Sequence, residues 1–177
     1  NDEEQALSLF LKSIELDEHQ AEILYNTSII YEKKNLLRQA LKYIDAASNI
    51  EPHDKDILFN KANILETIGL YPESLEIVKK LIQIEYSTEV LNLYGLLLHD
   101  LKEDKKAINY YYKALKLKKN DIKVLNNISI SLRKIGDIDK SNFYLKQALT
   151  LAEEKNENLA LTYNNCAVFE EEKGNIK

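Results

Sequence analysis

Apolar and small residues recur at helical spacing along the chain. Residues 21–54 show the pattern clearly, because one face of each of two predicted helices carries such residues: Leu24, Thr27, Ser28 and Tyr31, then Ala40, Ile44 and Ala47. Asn35, Leu36 and Leu37 lie between the two series and predict a turn. Pro52 follows the second series, and a helix does not continue through proline. The pattern predicts a helical hairpin.

Small residues mark the same two positions in each hairpin that follows. On the second helices they recur at intervals of 34, 34, 33 and 34 residues: Ala6, Ala40, Ser74, Ala107 and Ser141. On the first helices the intervals are 34, 33, 34 and 38 residues: Ser28, Ala62, Gly95, Ser129 and Ala167. Since a small side chain lets two helix backbones approach closely, the repeated pair predicts stacked hairpins.

The period divides the chain into one array over residues 1–177. We expect four complete repeats and a half repeat at each end: 21–54, 55–87, 88–121 and 122–155, flanked by 1–20 and 156–177. A repeat buries its apolar face on its neighbours, so half repeats predict exposed apolar surface and possible end-to-end self-association. The sequence contains no methionine, and we interpret it as a segment of a longer protein.

The repeat resembles the tetratricopeptide repeat. The small residue and the larger one that follows it four positions later match that family's A-x-x-x-F element at Ala6/Phe10, Ala40/Ile44, Ser74/Val78, Ala107/Tyr111 and Ser141/Leu145. There is no Trp, and Lys61 replaces an apolar residue. The resemblance implies an all-α fold, an α-solenoid that winds as a right-handed superhelix. It also implies a scaffold for protein–protein interaction, with the first helix of each repeat lining an inner groove.

Composition narrows the function classes. The net charge of −5 argues against nucleic acid, and no apolar run is long enough to cross a membrane. Cys166 is the only cysteine, which fits a reducing compartment, and we expect a cytoplasmic protein. The three histidines have no partner at metal-ligand spacing, and no glycine-rich phosphate loop is present. We therefore expect no enzyme activity, no metal and no cofactor.

Asparagine is concentrated at the positions through which the family contacts its ligands. Counted from the start of each repeat, positions 5, 6 and 9 of the first helices hold Asn26, Asn60, Asn63, Asn92, Asn126, Asn127, Asn164 and Asn165. An amide offers both a donor and an acceptor, so a row of them can hold the backbone of an extended peptide. This row resembles the asparagine ladder of O-linked N-acetylglucosamine transferases. Alternatively, these amides bridge adjacent first helices.

Other residues complete the predicted peptide-binding groove. Apolar contact is expected from Tyr25, Ile29, Phe59, Leu96 and Ile130. Acidic residues at positions 2 and 12 of the early repeats give way to Lys123 and Arg133, which predicts an acidic groove that becomes basic in the fourth repeat. The clamp of chaperone-tail-binding relatives is excluded because Tyr25, Asn92 and Asn127 stand where basic residues would be needed.

Two further interpretations stay open. The chain could be the recruiting arm of a larger enzyme, such as a glycosyltransferase or a kinase. It could also be a structural array that assembles through its ends or its outer face.

Overall fold

The structure is a computed structural model that describes the backbone of residues 2–175 and the side chains of residues 2–171. That range contains ten helices and no strand. The chain divides into two compact units, Asn1–Glu85 and Tyr86–Lys177, called unit 1 and unit 2 below.

Unit 1 contains five helices. They are α1 (Asp2–Leu16), α2 (Ala21–Lys33), α3 (Leu37–Ile50), α4 (Lys55–Ile68) and α5 (Tyr71–Ile84). Pairs α2/α3 and α4/α5 form hairpins, and α3 also packs on α4. Unit 2 contains α6 (Thr88–Asp100), α7 (Asp104–Leu117), α8 (Ile122–Lys134), α9 (Ile138–Lys155) and α10 (Leu159–Asn175). Here α6/α7 and α8/α9 form hairpins, and α7 packs on α8.

Local signals set the ends of the helices. The Asp54 carboxylate caps α4 by accepting hydrogen bonds from the backbone N–H groups of Asp56 and Ile57. At the other end of α4, Gly69 has a φ of 92°, a left-handed conformation that glycine adopts without steric cost. Pro72 lies in the first turn of α5, where its missing N–H removes no intrahelical bond. The α4/α5 hairpin therefore begins and turns where its own sequence favours it.

The repeated small residues lie where the two helices of a hairpin meet. Ser74 is fully buried on α5, and its hydroxyl donates to the backbone carbonyl of Ala62 on α4 at 2.7 Å. Ser141 on α9 makes the same bond to the carbonyl of Ser129 on α8, also at 2.7 Å. Gly95 on α6 packs against the buried ring of Tyr111, so close that an added Cβ would lie 2.5 Å from the ring. These small residues therefore recur at points where the two helices of a hairpin pack closely.

Lys61 departs from the repeat pattern because it binds across the boundary between two hairpins. Its Nζ lies on α4, 3.0 Å from Asp45 Oδ1 and 2.9 Å from Ser48 Oγ, both on α3. A charged residue is tolerated at this usually apolar position because the stem packs along the interface while the head is paired.

Candidate functional site

Six of the fifteen predicted site residues lie on the first helices of unit 1. We call this set the unit 1 face; all of its members are half-buried: Tyr25, Asn26 and Ile29 on α2, and Phe59, Asn60 and Asn63 on α4. A half-buried side chain is held by its neighbours and still presents surface to a ligand. The predicted residues of repeats 21–54 and 55–87 are therefore partly held by their neighbours and partly accessible to a ligand.

Asn60 bridges the two first helices of unit 1. Its Nδ2 donates to Ser28 Oγ on α2 at 3.5 Å, and its amide hydrogen-bonds the Glu32 carboxylate. Burial raises the pKa of Glu32, and the hydrogen bond from Asn60 partly offsets that rise. The Asn60 amide nitrogen therefore joins adjacent first helices, as in the alternative interpretation of the asparagine row.

Asn26 and Asn63 are different, because among the residues described neither side chain has a hydrogen-bond partner. Both amides therefore keep a donor and an acceptor for another molecule. Tyr25 precedes Asn26 on α2, and its pKa is raised by burial first and then by the negative charges of Asp56, Asp54 and Glu32. The unit 1 face is thus a partly apolar surface with open amides in an acidic setting.

In unit 2, one pair of amides bridges the first helices and still leaves groups free. Asn127 Nδ2 on α8 donates to Asn92 Oδ1 on α6 at 3.0 Å. In the described part of unit 2, Asn92 Nδ2 and Asn127 Oδ1 have no further side-chain partner. The bridge fixes the orientation of both amides and leaves one donor and one acceptor beside each other.

Asn126 and Asn165 differ from the prediction that they face a groove. Asn126 has no exposed surface; its Nδ2 donates to the Ile122 carbonyl at 3.0 Å and to Thr162 Oγ1 at 2.9 Å. Its Oδ1 accepts from Asn165 Nδ2 at 2.9 Å, and Asn165 is only 8% exposed. These two residues join α8 to α10, which corrects their assignment to ligand contact. Asn164, one residue before Asn165, is exposed.

The remaining predicted residues give unit 2 a different chemistry from unit 1. Leu96 and Ile130 are half-buried, and Lys123 is exposed. The Arg133 guanidinium lies 5.9 Å from the centre of the Phe169 ring, a cation–π distance. We call Asn92, Leu96, Lys123, Asn127, Ile130 and Arg133 the unit 2 face.

A serine, a histidine and an aspartate lie together in unit 2 without forming a catalytic arrangement. Ser131 Oγ is 3.1 Å from His99 Nδ1, and the Asp104 carboxylate contacts the same nitrogen. A nucleophilic triad uses both ring nitrogens, one for the serine and one for the aspartate. Ser131 is moreover fully buried, so a substrate does not reach its hydroxyl. The cluster joins α6, α7 and α8.

Metal binding and thiol chemistry find no support in the described residues. Within them, no group of three or more His, Cys, Asp or Glu side chains is arranged to hold a metal ion. Burial raises the pKa of the Cys166 thiol, as do the negative charges of Glu170 and Glu153, which keeps the thiol protonated. None of the helices in residues 2–175 is long and apolar enough to cross a bilayer.

Comparison with known proteins identifies the repeat. The family model for the tetratricopeptide repeat matches residues 88–121 and 122–155, and these matches begin at the first residues of α6 and α8. Residues 88–155 thus match two successive tetratricopeptide repeats. A TPR repeat-containing protein of Methanocaldococcus jannaschii is 27% identical over 150 residues, which are 79% of this chain. The chain spans about a quarter of that relative, 26% of its length.

Solved tetratricopeptide structures share the fold. MamA from Desulfovibrio magneticus RS-1 superposes with a TM-score of 0.79 at 18% identity, covering 86% of both chains. YrrB, a TPR protein described as having an unusual peptide-binding site, superposes with a TM-score of 0.64 at 22% identity, covering 94% of this chain and 84% of its own. The predicted family resemblance and the all-α fold of the tetratricopeptide solenoid class are confirmed. Such repeats are a fold that serves protein–protein interaction.

Proposed function

We propose that this tetratricopeptide protein is a scaffold that holds an extended segment of a partner protein against the first-helix faces of its units. The observation that carries the proposal is the pair of open amides, Asn26 and Asn63, which are half-buried on the same two helices as Tyr25 and Phe59. The peptide-binding site in the description of YrrB, whose fold is shared, supports the same class of ligand.

On the unit 1 face, the amides and the aromatic residues have separate roles. An extended peptide presents a free backbone N–H and a free C=O at alternate positions, and each open amide can pair with one of either kind. Tyr25 and Phe59 offer rigid apolar surface to the side chains of the ligand. Because Glu22 and Asp56 are exposed on the same helices, a segment with lysine or arginine complements this face.

On the unit 2 face, the bridged pair performs the equivalent role with fewer free groups. The hydrogen bond between Asn127 and Asn92 holds the two amides in place, so a ligand orders them at little entropic cost. Asn92 Nδ2 then donates to a ligand carbonyl, and Asn127 Oδ1 accepts from a ligand N–H. Lys123, which is exposed, favours an acidic stretch of the ligand here.

The test begins with selection of peptides from a displayed random library on the intact 177-residue chain. Affinity of the selected peptides is then measured by fluorescence anisotropy for wild type, for Asn26→Ala with Asn63→Ala, and for Asn49→Ala. Asn49 is an exposed asparagine on the second helix α3 and serves as the matched control.

The open amides predict a clear difference between these variants. Each lost hydrogen bond is worth about 0.5–1.5 kcal/mol, so the double variant should weaken binding about five- to 150-fold. Asn49→Ala should bind like wild type. Equal affinity of all three proteins, with their folds unchanged by circular dichroism, would overturn the proposed use of these amides.

A further inference from the structure

The second helices of unit 2 form an open pocket that lies apart from the first-helix faces. It lies between α7 and α9, has a volume of about 930 Å³, and is lined chiefly by Tyr112, Lys113, Lys116, Phe143, Tyr144 and Gln147. A second pocket of about 380 Å³ adjoins it and shares Asn120, Phe143 and Gln147. We call the two together the second-helix pocket. Its size suits a ligand side chain with its flanking backbone.

Aromatic side chains build the apolar part of this pocket. Tyr112 on α7 and Tyr144 on α9 meet edge to face, with ring centres 6.1 Å apart. Phe143 packs against Tyr144 at 5.2 Å and is nevertheless 57% exposed. The buried side chain of Leu125, from α8, also lines the pocket. An exposed phenylalanine beside an apolar hollow is the kind of residue that anchors a protein partner.

Most of the charged side chains that line the pocket are lysines. Lys113, Lys116 and Lys119 line the larger part, and no acidic side chain does so among the residues described. Lys146 lines the adjoining part, where Glu154 is the one acidic residue of its described lining. The chain as a whole carries a net charge of −5, so this cationic surface runs against its overall charge. Charge complementarity therefore points to an acidic ligand.

These residues are not a general feature of the repeat. The repeat position of Phe143 is occupied by Asn109 in α7 and by Glu76 in α5. The repeat position of Tyr112 is occupied by Lys79 in α5. Lys80 occupies the position of Lys113 in α5, so a lysine recurs there, and the aromatic residues beside the lysines are what distinguish α7 and α9. The combination is specific to α7 and α9.

We propose that the second-helix pocket binds an acidic peptide, whose aromatic or leucine side chain enters between Tyr112 and Phe143 while its carboxylates pair with Lys113 and Lys116. A nucleic acid is disfavoured because the chain as a whole is acidic. This peptide would bind the second helices of the repeats, whereas the segment proposed above would bind the first helices.

The test uses a fluorescein-labelled peptide in which glutamates surround one phenylalanine, titrated with the intact chain and followed by anisotropy. Two control peptides replace the glutamates by glutamine or the phenylalanine by alanine. The protein variants are Lys113→Glu with Lys116→Glu, Phe143→Ala, and Lys80→Glu. Lys80 is exposed on α5 at the repeat position of Lys113, which makes Lys80→Glu the matched control.

The pocket predicts that Lys113→Glu with Lys116→Glu and Phe143→Ala each weaken the peptide about tenfold or more, and that added salt weakens it further. Lys80→Glu, and Asn26→Ala with Asn63→Ala, should leave its affinity unchanged. Circular dichroism checks that every variant is folded. Equal loss with Lys80→Glu, equal binding of the glutamine peptide, or displacement by a single-stranded oligonucleotide in preference to the acidic peptide would each overturn the proposal.

Discussion

Asn126 provides the sharpest stability prediction, because it has the chemistry of a ligand-binding amide and the surroundings of a core residue. Asn126→Ala removes hydrogen bonds to Ile122 and Thr162 and leaves the Asn165 amide without its acceptor. An unsatisfied buried donor costs about 1–3 kcal/mol, and the lost bonds add about 1 kcal/mol. The expected loss is about 2–4 kcal/mol, concentrated where α10 packs on α8.

Hydrogen exchange followed by mass spectrometry measures this loss locally. A loss of about 2–4 kcal/mol corresponds to about 30- to 900-fold faster exchange in peptides from α10. Asn164→Ala is the matched control, because Asn164 has the same repeat position as Asn126 and is exposed. Its effect should stay within about 0.5 kcal/mol. Equal effects of the two substitutions, or unchanged exchange in Asn126→Ala, would refute the structural role assigned to Asn126.

Two further predictions concern buried contacts elsewhere. Gly95→Ala places a methyl group 2.5 Å from the Tyr111 ring and should lower the free energy of urea unfolding by about 1–3 kcal/mol. Adding Tyr111→Leu to the same chain should reduce the loss caused by Gly95→Ala. If the losses of the two substitutions simply add, this clash is not their cause. The raised pKa of Glu32 means that its ionised form opposes folding, so the folded state is favoured at low pH and loses that advantage as pH rises through the Glu32 pKa. Glu32→Gln should therefore raise the melting temperature at pH 7 and change it little at pH 3; the opposite order would contradict this sign.

The helical hairpins could be predicted from the sequence because period and composition act locally. Small residues at Ala62 and Ser74 need only one neighbouring helix to explain them, and the structure shows the two in direct contact. The turn at Gly69 likewise follows from the residue's own conformational freedom. Such features are encoded within a single repeat.

The direction of each amide could not be predicted in the same way. Asn126 and Asn127 are consecutive, yet one is fully buried against α10 and the other bonds Asn92 on α6. A step of one residue turns a side chain about 100° around a helix, so the two amides meet different neighbours. Which of those neighbours offers a partner depends on packing between repeats. The sequence suggested that some of these amides bridge adjacent helices, but it did not predict which asparagines do so.

The second-helix pocket could not be predicted from the sequence, because its residues occupy repeat positions whose side chains usually face solvent. Phe143 could have been singled out, since its repeat position is polar in α5 and α7. The cluster of lysines around it is not visible from spacing alone, because Lys113 and Lys146 lie on different helices and meet only in the folded unit. Exposed apolar residues at normally polar positions are therefore a useful signal in repeat proteins.

The central claim is that open asparagine amides on the first helices contact a bound segment. The most direct measurement is NMR of the side-chain amide signals in a protein labelled with ¹⁵N at its 17 asparagines, titrated with a peptide selected on the chain. The account predicts that the signals of Asn26 and Asn63 shift on saturation while that of Asn49 stays in place. Shifts confined to Asn49 or to Asn109 of the second-helix pocket, with Asn26 and Asn63 unmoved, would contradict it.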